Sequence, residues 1–231
     1  MAAKLTFLGH SCFLIESADH KVLIDPFLDD NPQAQQAGIK AADIHCDTIV
    51  LTHGHADHIS DAPAIAKRTG AKVHAAYELA GYLGSVHGVE NLEPMAPGGR
   101  VEREFGYVAL TQAFHSSSHE HEGTVHHTGP ACGAVVNIAG KTIYHAGDTA
   151  IFSDMKLIGT LYMPHVAILP VGDRFTMGPE HASKAAEMVG APVTVPCHYG
   201  TWPEMLVSDI SHFKPAGSQV RALKPGESMS I

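Results

Sequence analysis

The segment LTHGHADHISD, residues 51–61, holds three histidines and an aspartate within six positions, directly after an apolar run. The pattern is His53-x-His55-x-Asp57-His58. Imidazole and carboxylate groups are the ligands that hold Zn²⁺ or a similar divalent ion, and a turn after a buried strand is a rigid place for them. Because alternate side chains point in different directions, these four groups cannot all reach one ion. The motif therefore predicts two neighbouring divalent metal ions.

The composition of the 231-residue chain bounds the class of protein that carries this motif. With 45% hydrophobic residues the chain can form one sizeable core, and we expect a single domain over residues 1–231. The formal net charge of -9 repels polyanions, which argues against nucleic acid as a substrate or partner. We expect a small-molecule substrate, and the oligomeric state, including a homo-oligomer, stays open.

The spacing of the cysteines and the length of the apolar runs indicate the cellular location. The four cysteines form no CxxC pair and have no spacing typical of a disulfide framework, which fits a reducing compartment. The N-terminal stretch MAAKLTFLGHSCFLI is interrupted by polar residues and is a poor signal peptide, and no apolar run approaches the length of a membrane span. The sequence therefore predicts a cytoplasmic protein without membrane insertion.

Strand and helix signals place the histidine motif between a buried strand at 47–52 and a helix at 60–70, with Ser60 as its cap and Gly70 as its stop. Another helix is predicted at 77–86. Further strands are predicted at 4–8, 11–17, 21–25, 71–76 and within 99–114. Residues 116–132 are mostly polar, and we expect them to form a long exposed loop.

The second half of the chain repeats the first in outline. Residues 132–148 correspond to 11–26 as a hairpin that runs into an aspartate, and residues 165–173 correspond to the strand and turn at 47–55. We infer two similar βαβ-like halves. Packed face to face with their helices outside, they predict an α/β fold, a four-layer αββα sandwich whose strand-end loops meet along one edge.

Seven stretches together carry a family resemblance. THGHADH, with GHSCFLIE, IDPF, FHSSS, YHAGDT, LPVGDRFTMGPEHA and PCHYGTWP, resembles the metallo-β-lactamase-fold hydrolases, and in particular their bacterial metal-dependent hydrolase branch. That branch is similar to L-ascorbate-6-phosphate lactonases and to phospholipase-D-type phosphodiesterases. The resemblance covers nearly the whole chain, and the four-layer sandwich is also the fold of that family.

The resemblance implies a set of metal ligands and two metal ions. The first ion is expected between His53, His55 and His115, the second between Asp57, His58 and His198, and Asp148 is expected to bridge both. Zn²⁺ is the ion that we favour, with Mn²⁺, Fe²⁺ and Ni²⁺ as alternatives.

The predicted mechanism follows from the charge of this site. A metal lowers the pKa of bound water from far above neutrality to about 7, so a hydroxide between the ions can serve as the nucleophile. We expect it to attack a small, anionic ester, lactone or phosphodiester, while the second ion stabilises the developing charge. Asp57 and His198 are the predicted catalytic residues, and Asp57 is expected to orient the hydroxide or move its proton.

Five other residues are candidates for supporting roles. His10 is expected to face the site as a substrate or supporting group, and Asp25 either orients a metal-ligating imidazole or closes a loop. His145 is a candidate supporting residue or a core residue. Thr176 and Met177 either line the pocket or form the turn into a helix.

The histidines of the predicted exposed loop allow three interpretations. They could form a lid, form an extra metal site or lie solvated at the surface, and we favour the last. These residues are His119, His121, His126 and His127.

Two other functions share the motif. A mononuclear iron oxidoreductase of the sulfur dioxygenase type also contains HxHxDH, but its ligand set leaves out the residues that correspond to His58 and His198, and Ala56 lacks the acidic ligand of diiron relatives. An RNA-processing nuclease needs a basic path for the backbone, which the negative net charge disfavours. We therefore predict a metal-dependent hydrolase.

Overall fold

The fold is described from a computed structural model, which covers residues 3–231. The strands are β1 (Lys4–Gly9), β2 (Cys12–Glu16), β3 (Lys21–Ile24), β4 (Thr48–Val50), β5 (Lys72–Ala76), β6 (Leu92–Met95), β7 (Arg100–Arg103), β8 (Gly106–Gln112), β9 (Ser118–His121), β10 (Thr124–His127), β11 (Cys132–Ile138), β12 (Lys141–His145), β13 (Val166–Pro170), β14 (Val193–Cys197), β15 (Gln219–Val220) and β16 (Ser228–Ser230). The helices are α1 (Pro32–Gln36), α2 (Ala56–Ile59), α3 (Ala62–Thr69), α4 (Tyr77–His87), α5 (Met155–Tyr162) and α6 (Pro179–Val189).

Two seven-stranded sheets follow the same plan. The first has the order β16-β1-β2-β3-β4-β5-β6, and the second β15-β14-β13-β12-β11-β8-β7. In the first sheet an antiparallel β2–β3 hairpin leads into parallel β4, β5 and β6. In the second sheet the antiparallel β11–β12 hairpin leads into parallel β13, β14 and β15. This is the repeat that the sequence predicts.

Alternation along the strands of the second sheet separates two cores. In β11, Ala134 and Val136 pack into a cluster that also contains residues of the first sheet, such as Phe13 and Ile15. Val135 points the other way and packs with residues of α5 and α6. Because successive strand residues face opposite sides of a sheet, one sequence serves both layers. The four-layer αββα sandwich of the metallo-β-lactamase fold is confirmed, whereas a single domain over residues 1–231 stays a prediction.

The ends of the two central helices follow from glycine. Gly70 ends α3 at φ 73° and Gly190 ends α6 at φ 69°, in the left-handed region that glycine adopts without steric cost. The predicted Ser60 cap is wrong, because Ser60 ends the short helix α2. Asp61 stands before α3 instead, and its carboxylate accepts the backbone N–H of Leu28 at 2.6 Å.

Other elements were not expected from the sequence. Residues 118–127 lie within the predicted exposed loop, yet they form the antiparallel hairpin β9–β10. Their sequence lacks the apolar alternation that marks a strand, so the pairing depends on backbone hydrogen bonds. The sequence also gave no prediction for α5, β15 or β16. No helix within residues 3–231 is both long enough and apolar enough to span a membrane.

Candidate metal centre

The predicted ligands lie where strands of both sheets end. His53, His115 and Asp148 each follow the last residue of a strand by a short turn, after β4, β8 and β12, and His198 follows β14 directly. His55 and Asp57 lie at the start of α2. Because the two sheets face each other, these turns converge at one edge of the sandwich.

The first ligand group consists of His53, His55 and His115, whose ligand atoms lie within 4.8 Å of one another. Nε2 of His53 is 2.9 Å from Nδ1 of His55, and the three ring centroids are 4.6, 5.1 and 5.0 Å apart. Outward-facing nitrogens have other partners: Nδ1 of His53 is 3.0 Å from Thr52 Oγ1, and Nε2 of His55 is 3.3 Å from Ser116 Oγ. These bonds leave the converging lone pairs free for a cation.

The second group consists of Asp57, His58 and His198, and the structure adds His10 to it. Nε2 of His198 lies 3.7 Å from Asp57 Oδ2, and Nε2 of His58 lies 3.9 Å from the same oxygen. Nε2 of His10 donates a hydrogen bond of 3.0 Å to this oxygen. Two imidazoles and a carboxylate therefore face one point, as a second divalent ion requires.

Asp148 lies between the two groups. Its Oδ1 is 3.5 Å from Nε2 of His58, and its Oδ2 is 3.0 Å from Nε2 of His198 and 3.7 Å from Nε2 of His115. The same carboxylate also forms a potential ligand group with His53 and His58. This is the position that the predicted bridging role requires.

Two buried atoms test whether a cation fits here. Nε2 of His58 and Oδ1 of Asp148 are fully buried, and neither has a hydrogen-bond partner within residues 3–231. Leaving such an atom without a partner costs about 1–3 kcal/mol. A cation between them would satisfy both atoms, so the residues present fit divalent ions.

The charges of the carboxylates also fit. Burial by itself would raise the pKa of Asp148, but His198 and His58 outweigh it and hold that pKa well below its usual range. Burial likewise opposes the lowering of the Asp57 pKa, which His58 and His10 bring about. Both carboxylates are therefore ionised at neutral pH, as metal ligands must be.

The imidazoles divide into two classes. Burial lowers the pKa values of His53, His55 and His115, so these three are neutral ligands at pH 7. For His58 and His198 burial acts in the same direction, but the Asp148 carboxylate outweighs it. The pKa of His198 rises to about 9, so a cation must displace its proton.

Asp25 connects the two ligand groups. Its Oδ2 accepts the Nδ1 proton of His58 at 2.7 Å and the hydroxyl proton of Thr52 at 2.6 Å, while its Oδ1 accepts the Thr52 N–H at 2.8 Å. The Thr52 hydroxyl in turn lies against His53. Of the two interpretations drawn from the sequence, the geometry favours the one in which Asp25 orients a ligating imidazole.

His10 is fully buried and lies against Asp57. Burial, followed by the nearby His198, lowers the His10 pKa to about 4, so the ring is neutral. Since its Nε2–H donates a hydrogen bond to Asp57, its Nδ1 accepts one from the Thr201 hydroxyl at 2.7 Å. His10 is placed to support Asp57.

Three of the eight non-glycine residues with positive φ within residues 3–231 lie at this edge. His10, Asp25 and His198 have φ values of 56°, 45° and 55°, in the left-handed region that side chains other than glycine rarely adopt. Such a conformation costs about 1–3 kcal/mol and persists only where the surroundings enforce it. Two of these three strained residues, His10 and His198, belong to the second ligand group, which agrees with a functional role for this edge.

The remaining candidates from the sequence, His145, Thr176 and Met177, lie outside the two ligand groups. His145 uses both ring nitrogens on the backbone, since Nδ1 accepts the Gly147 N–H at 3.0 Å and Nε2 donates to the Ser11 carbonyl at 3.1 Å. It therefore holds β12 to the turn before β2. Met177 is buried in the core beneath α6, and Thr176 is half-buried beside it. A pocket-lining role for these two residues stays a prediction.

Sequence reasoning missed the hydroxyl groups that hold the imidazoles. Thr52 and Thr201 are both buried, and each contacts a site histidine. Thr52 directly precedes the histidine motif and Thr201 lies three residues after His198. A buried threonine next to a predicted ligand was the available signal.

Comparison with known proteins agrees with this geometry. Residues 20–199 match the family described as Beta-lactamase superfamily domain. A UPF0173 metal-dependent hydrolase of Shouchella clausii is 50% identical over 202 residues, which cover 87% of each chain. One of Anoxybacillus flavithermus is 47% identical over 230 residues, covering 99% of this chain and all of the relative.

A solved structure extends the comparison. Igni18, described as a novel metallo hydrolase of the archaeon Ignicoccus hospitalis, superposes with a TM-score of 0.85 at 34% identity, covering 100% of this chain and 99% of its own. The chain therefore belongs to the β-lactamase superfamily, and it carries groups of histidine and aspartate side chains that could hold metal ions. It is a metal-dependent hydrolase.

Proposed function

We propose that the protein hydrolyses a small, anionic ester, lactone or phosphodiester with two divalent ions, of which Zn²⁺ is the one that we favour. The arrangement of two ligand groups around one shared carboxylate, Asp148, carries this proposal. Two such ions lower the pKa of water toward neutrality and offset negative charge in the transition state. No serine or cysteine nucleophile is needed.

The side of substrate approach follows from exposure. The Asp148 side chain is 3% exposed, whereas that of Asp57 is 26% exposed, and His55 and His115 are half-buried. A substrate therefore reaches the site past Asp57 and these two rings. Two divalent cations exceed the charge of Asp57 and Asp148, which favours an anionic substrate.

Asp57 is the chain's own proton-handling group in this proposal. Its Oδ2 accepts a hydrogen bond from Nε2–H of His10, and this bond fixes the carboxylate on the side from which the substrate approaches. His10 is in turn held by the Thr201 hydroxyl. Asp57 thus orients the attacking water and takes up its proton, and His198 Nε2 lies 3.7 Å from the same Oδ2.

The first test removes one imidazole of the first ligand group or the carboxylate that the two groups share. We expect His55→Ala and Asp148→Ala each to lose metal and to lower hydrolysis by at least about 1000-fold, because the nucleophile is no longer formed at neutral pH. Metal content is measured by elemental analysis, and turnover with a panel of phosphodiesters and lactones. His181→Ala, at an exposed position of α6, is the control. Full turnover by a metal-free Asp148→Ala protein would refute the proposal.

Two further assays, of oxygen consumption and of nucleic-acid binding, separate the alternatives. A mononuclear iron oxidoreductase would consume oxygen and would not need His58 or His198, yet both lie in the second ligand group. A nuclease would shift nucleic acid in a salt-dependent gel assay, which the net charge of -9 disfavours. Oxygen consumption without hydrolysis, at full metal occupancy, would favour the first alternative.

We further propose a cytoplasmic location and a small molecule, rather than nucleic acid, as the partner. All four cysteines are free and buried, which fits a reducing compartment. Fractionation of cells that express the tagged protein tests the location, and recovery with the membrane fraction would contradict it.

A further inference from the structure

A second group of histidines lies beside the metal centre, on the hairpin β9–β10. His119 lies opposite His126 in the register of the hairpin, and His121 lies opposite Thr124. Because side chains alternate along a strand, His119, His121 and His126 share one face. All three are half-buried, whereas Glu120, Val125 and His127 on the other face are exposed.

This imidazole face packs against the end of α4. The ring of Tyr82 lies 5.5 Å from that of His119 and 5.0 Å from that of His126, measured between centroids. His87, the last residue of α4, lies 4.9 Å from His121 and 6.4 Å from His119. A contact that served packing alone would be covered by apolar side chains, but here imidazoles surround a single tyrosine.

One pair of these rings has the spacing of metal ligands. Two imidazoles on one tetrahedral ion have ring centroids about 5 Å apart, given metal–nitrogen bonds of about 2 Å. The rings of the first ligand group show this spacing, between 4.6 and 5.1 Å, and the 4.9 Å between His87 and His121 falls within it.

The available nitrogens agree with this role. Nδ1 of His119 donates to the Gly54 carbonyl at 3.1 Å, which leaves Nε2 with a free lone pair. Nε2 of His87 contacts the Tyr82 hydroxyl at 2.9 Å, which leaves Nδ1 free. Burial lowers the pKa values of both histidines, so they are neutral at pH 7.

We propose that this face of the hairpin and the end of α4 form an additional binding site for one divalent transition-metal ion. His87 and His121 supply two ligands, and His119 supplies the third after a side-chain rotation that gives up its hydrogen bond to the Gly54 carbonyl. An all-imidazole set selects Zn²⁺, Ni²⁺ or Cu²⁺ over Mg²⁺ or Ca²⁺. The site is independent of the proposed hydrolysis.

The segment of the hairpin also contacts the turn that carries the first ligand group. The Gly54 N–H donates to Ser117 Oγ at 3.1 Å, and its carbonyl accepts from His119, so both polar groups of Gly54 contact the segment of the hairpin. Gly54 lies between two ligands of the first group. An ion at His87 and His121 would therefore join the hairpin to α4, while Ser117 keeps the start of the hairpin against this turn.

The test counts ions with Zn²⁺ alone as the probe. Full-length protein is equilibrated with buffered free zinc, and bound zinc per chain is measured by elemental analysis. The variants His121→Gln and His87→Gln should each bind one ion fewer than the wild type. His127→Gln, on the exposed face of the same hairpin, is the matched control and should bind the wild-type number.

A second readout is hydrogen exchange of residues 118–127, which should slow on zinc addition in the wild type and in Asp148→Ala but not in His121→Gln. Equal zinc stoichiometry in the wild type and both variants at every free zinc concentration would overturn the proposal. Loss of the ion from the His127→Gln control as well would do the same, because it would indicate nonspecific binding. Hydrolysis plays no part in either measurement, so its failure leaves this result unaffected.

Discussion

At the scale of single residues, one carboxylate organises ligands of both predicted ions. Asp25 accepts one hydrogen bond from His58 and another from the Thr52 hydroxyl, which in turn contacts His53. Each bond fixes the tautomer in which Nε2 of the imidazole faces the centre. Asp25 therefore sets ligand orientation without facing a cation itself.

The replacement Asp25→Asn tests this role. The amide accepts fewer hydrogen bonds than the carboxylate and lacks its charge, so we expect the affinity for zinc to fall about 10–100-fold. Competition with a chromophoric chelator measures the affinity, and circular dichroism checks the fold. Thr142→Val, a buried threonine of β12, is the control and should leave zinc affinity unchanged. Wild-type affinity in Asp25→Asn would show that His58 is oriented by packing alone.

At the scale of elements, the outer helices are placed by close backbone contact. Gly159 of α5 lies so close to the Val189 carbonyl of α6 that an added Cβ would be 2.1 Å from the oxygen. That oxygen belongs to the backbone and cannot turn away. The absence of a side chain at Gly159 therefore sets the approach of α5 to α6.

Two glycine-to-alanine replacements should have opposite effects. Gly159→Ala should lower the free energy of unfolding by about 1–3 kcal/mol, because the helices must separate. Gly81→Ala, inside α4 where an added Cβ meets no atom within 4 Å, should raise it by about 0.5–1 kcal/mol through helix propensity. Urea unfolding measures both. A stabilised Gly159→Ala protein would mean that the two helices are further apart than described.

At the scale of the whole molecule, polar contacts as well as apolar ones join the two sheets. His74 of β5 is buried, and its Nε2 accepts the Nε proton of Arg103, in β7 of the other sheet, at 2.9 Å. Arg103 also pairs with Glu93 of β6. Burial, followed by the nearby Arg103, lowers the His74 pKa to about 4.

The free energy of unfolding should therefore decrease as the pH is lowered through a defined window. The His74 pKa is lower in the folded protein than its value of 6.5 in the unfolded chain, so the unfolded state binds more protons between about pH 6.5 and pH 4. This contribution is present above pH 6.5 and is lost as the pH falls toward 4. Between pH 7 and pH 5 it amounts to about 2 kcal/mol.

Urea unfolding at pH 7 and pH 5 checks this contribution. The variant His74→Gln should lose about 2 kcal/mol less than the wild type over this interval, because glutamine does not titrate. The control His181→Gln, at an exposed position, should keep the wild-type dependence. An unchanged pH dependence in His74→Gln would show that the proton does not reach a buried imidazole here.

The sequence by itself determined the residue types and the turns of the centre. The motif at 53–58 follows a buried strand, and the repeat of a hairpin before parallel strands predicts the αββα sandwich, because both signals depend on neighbours along the chain. It could not predict the hairpin β9–β10, since polar histidine-rich strands show no apolar alternation.

Only the tertiary structure decided which atoms meet. Asp25 reaches His58 across 33 positions and His10 reaches Thr201 across 191, so neither hydrogen bond has a local signal. The same holds for His87 of α4 and His121 of the hairpin. The candidate ligands follow from the local motif and from the family resemblance, whereas the tautomer, charge and orientation of each depend on partners that folding brings from elsewhere in the chain.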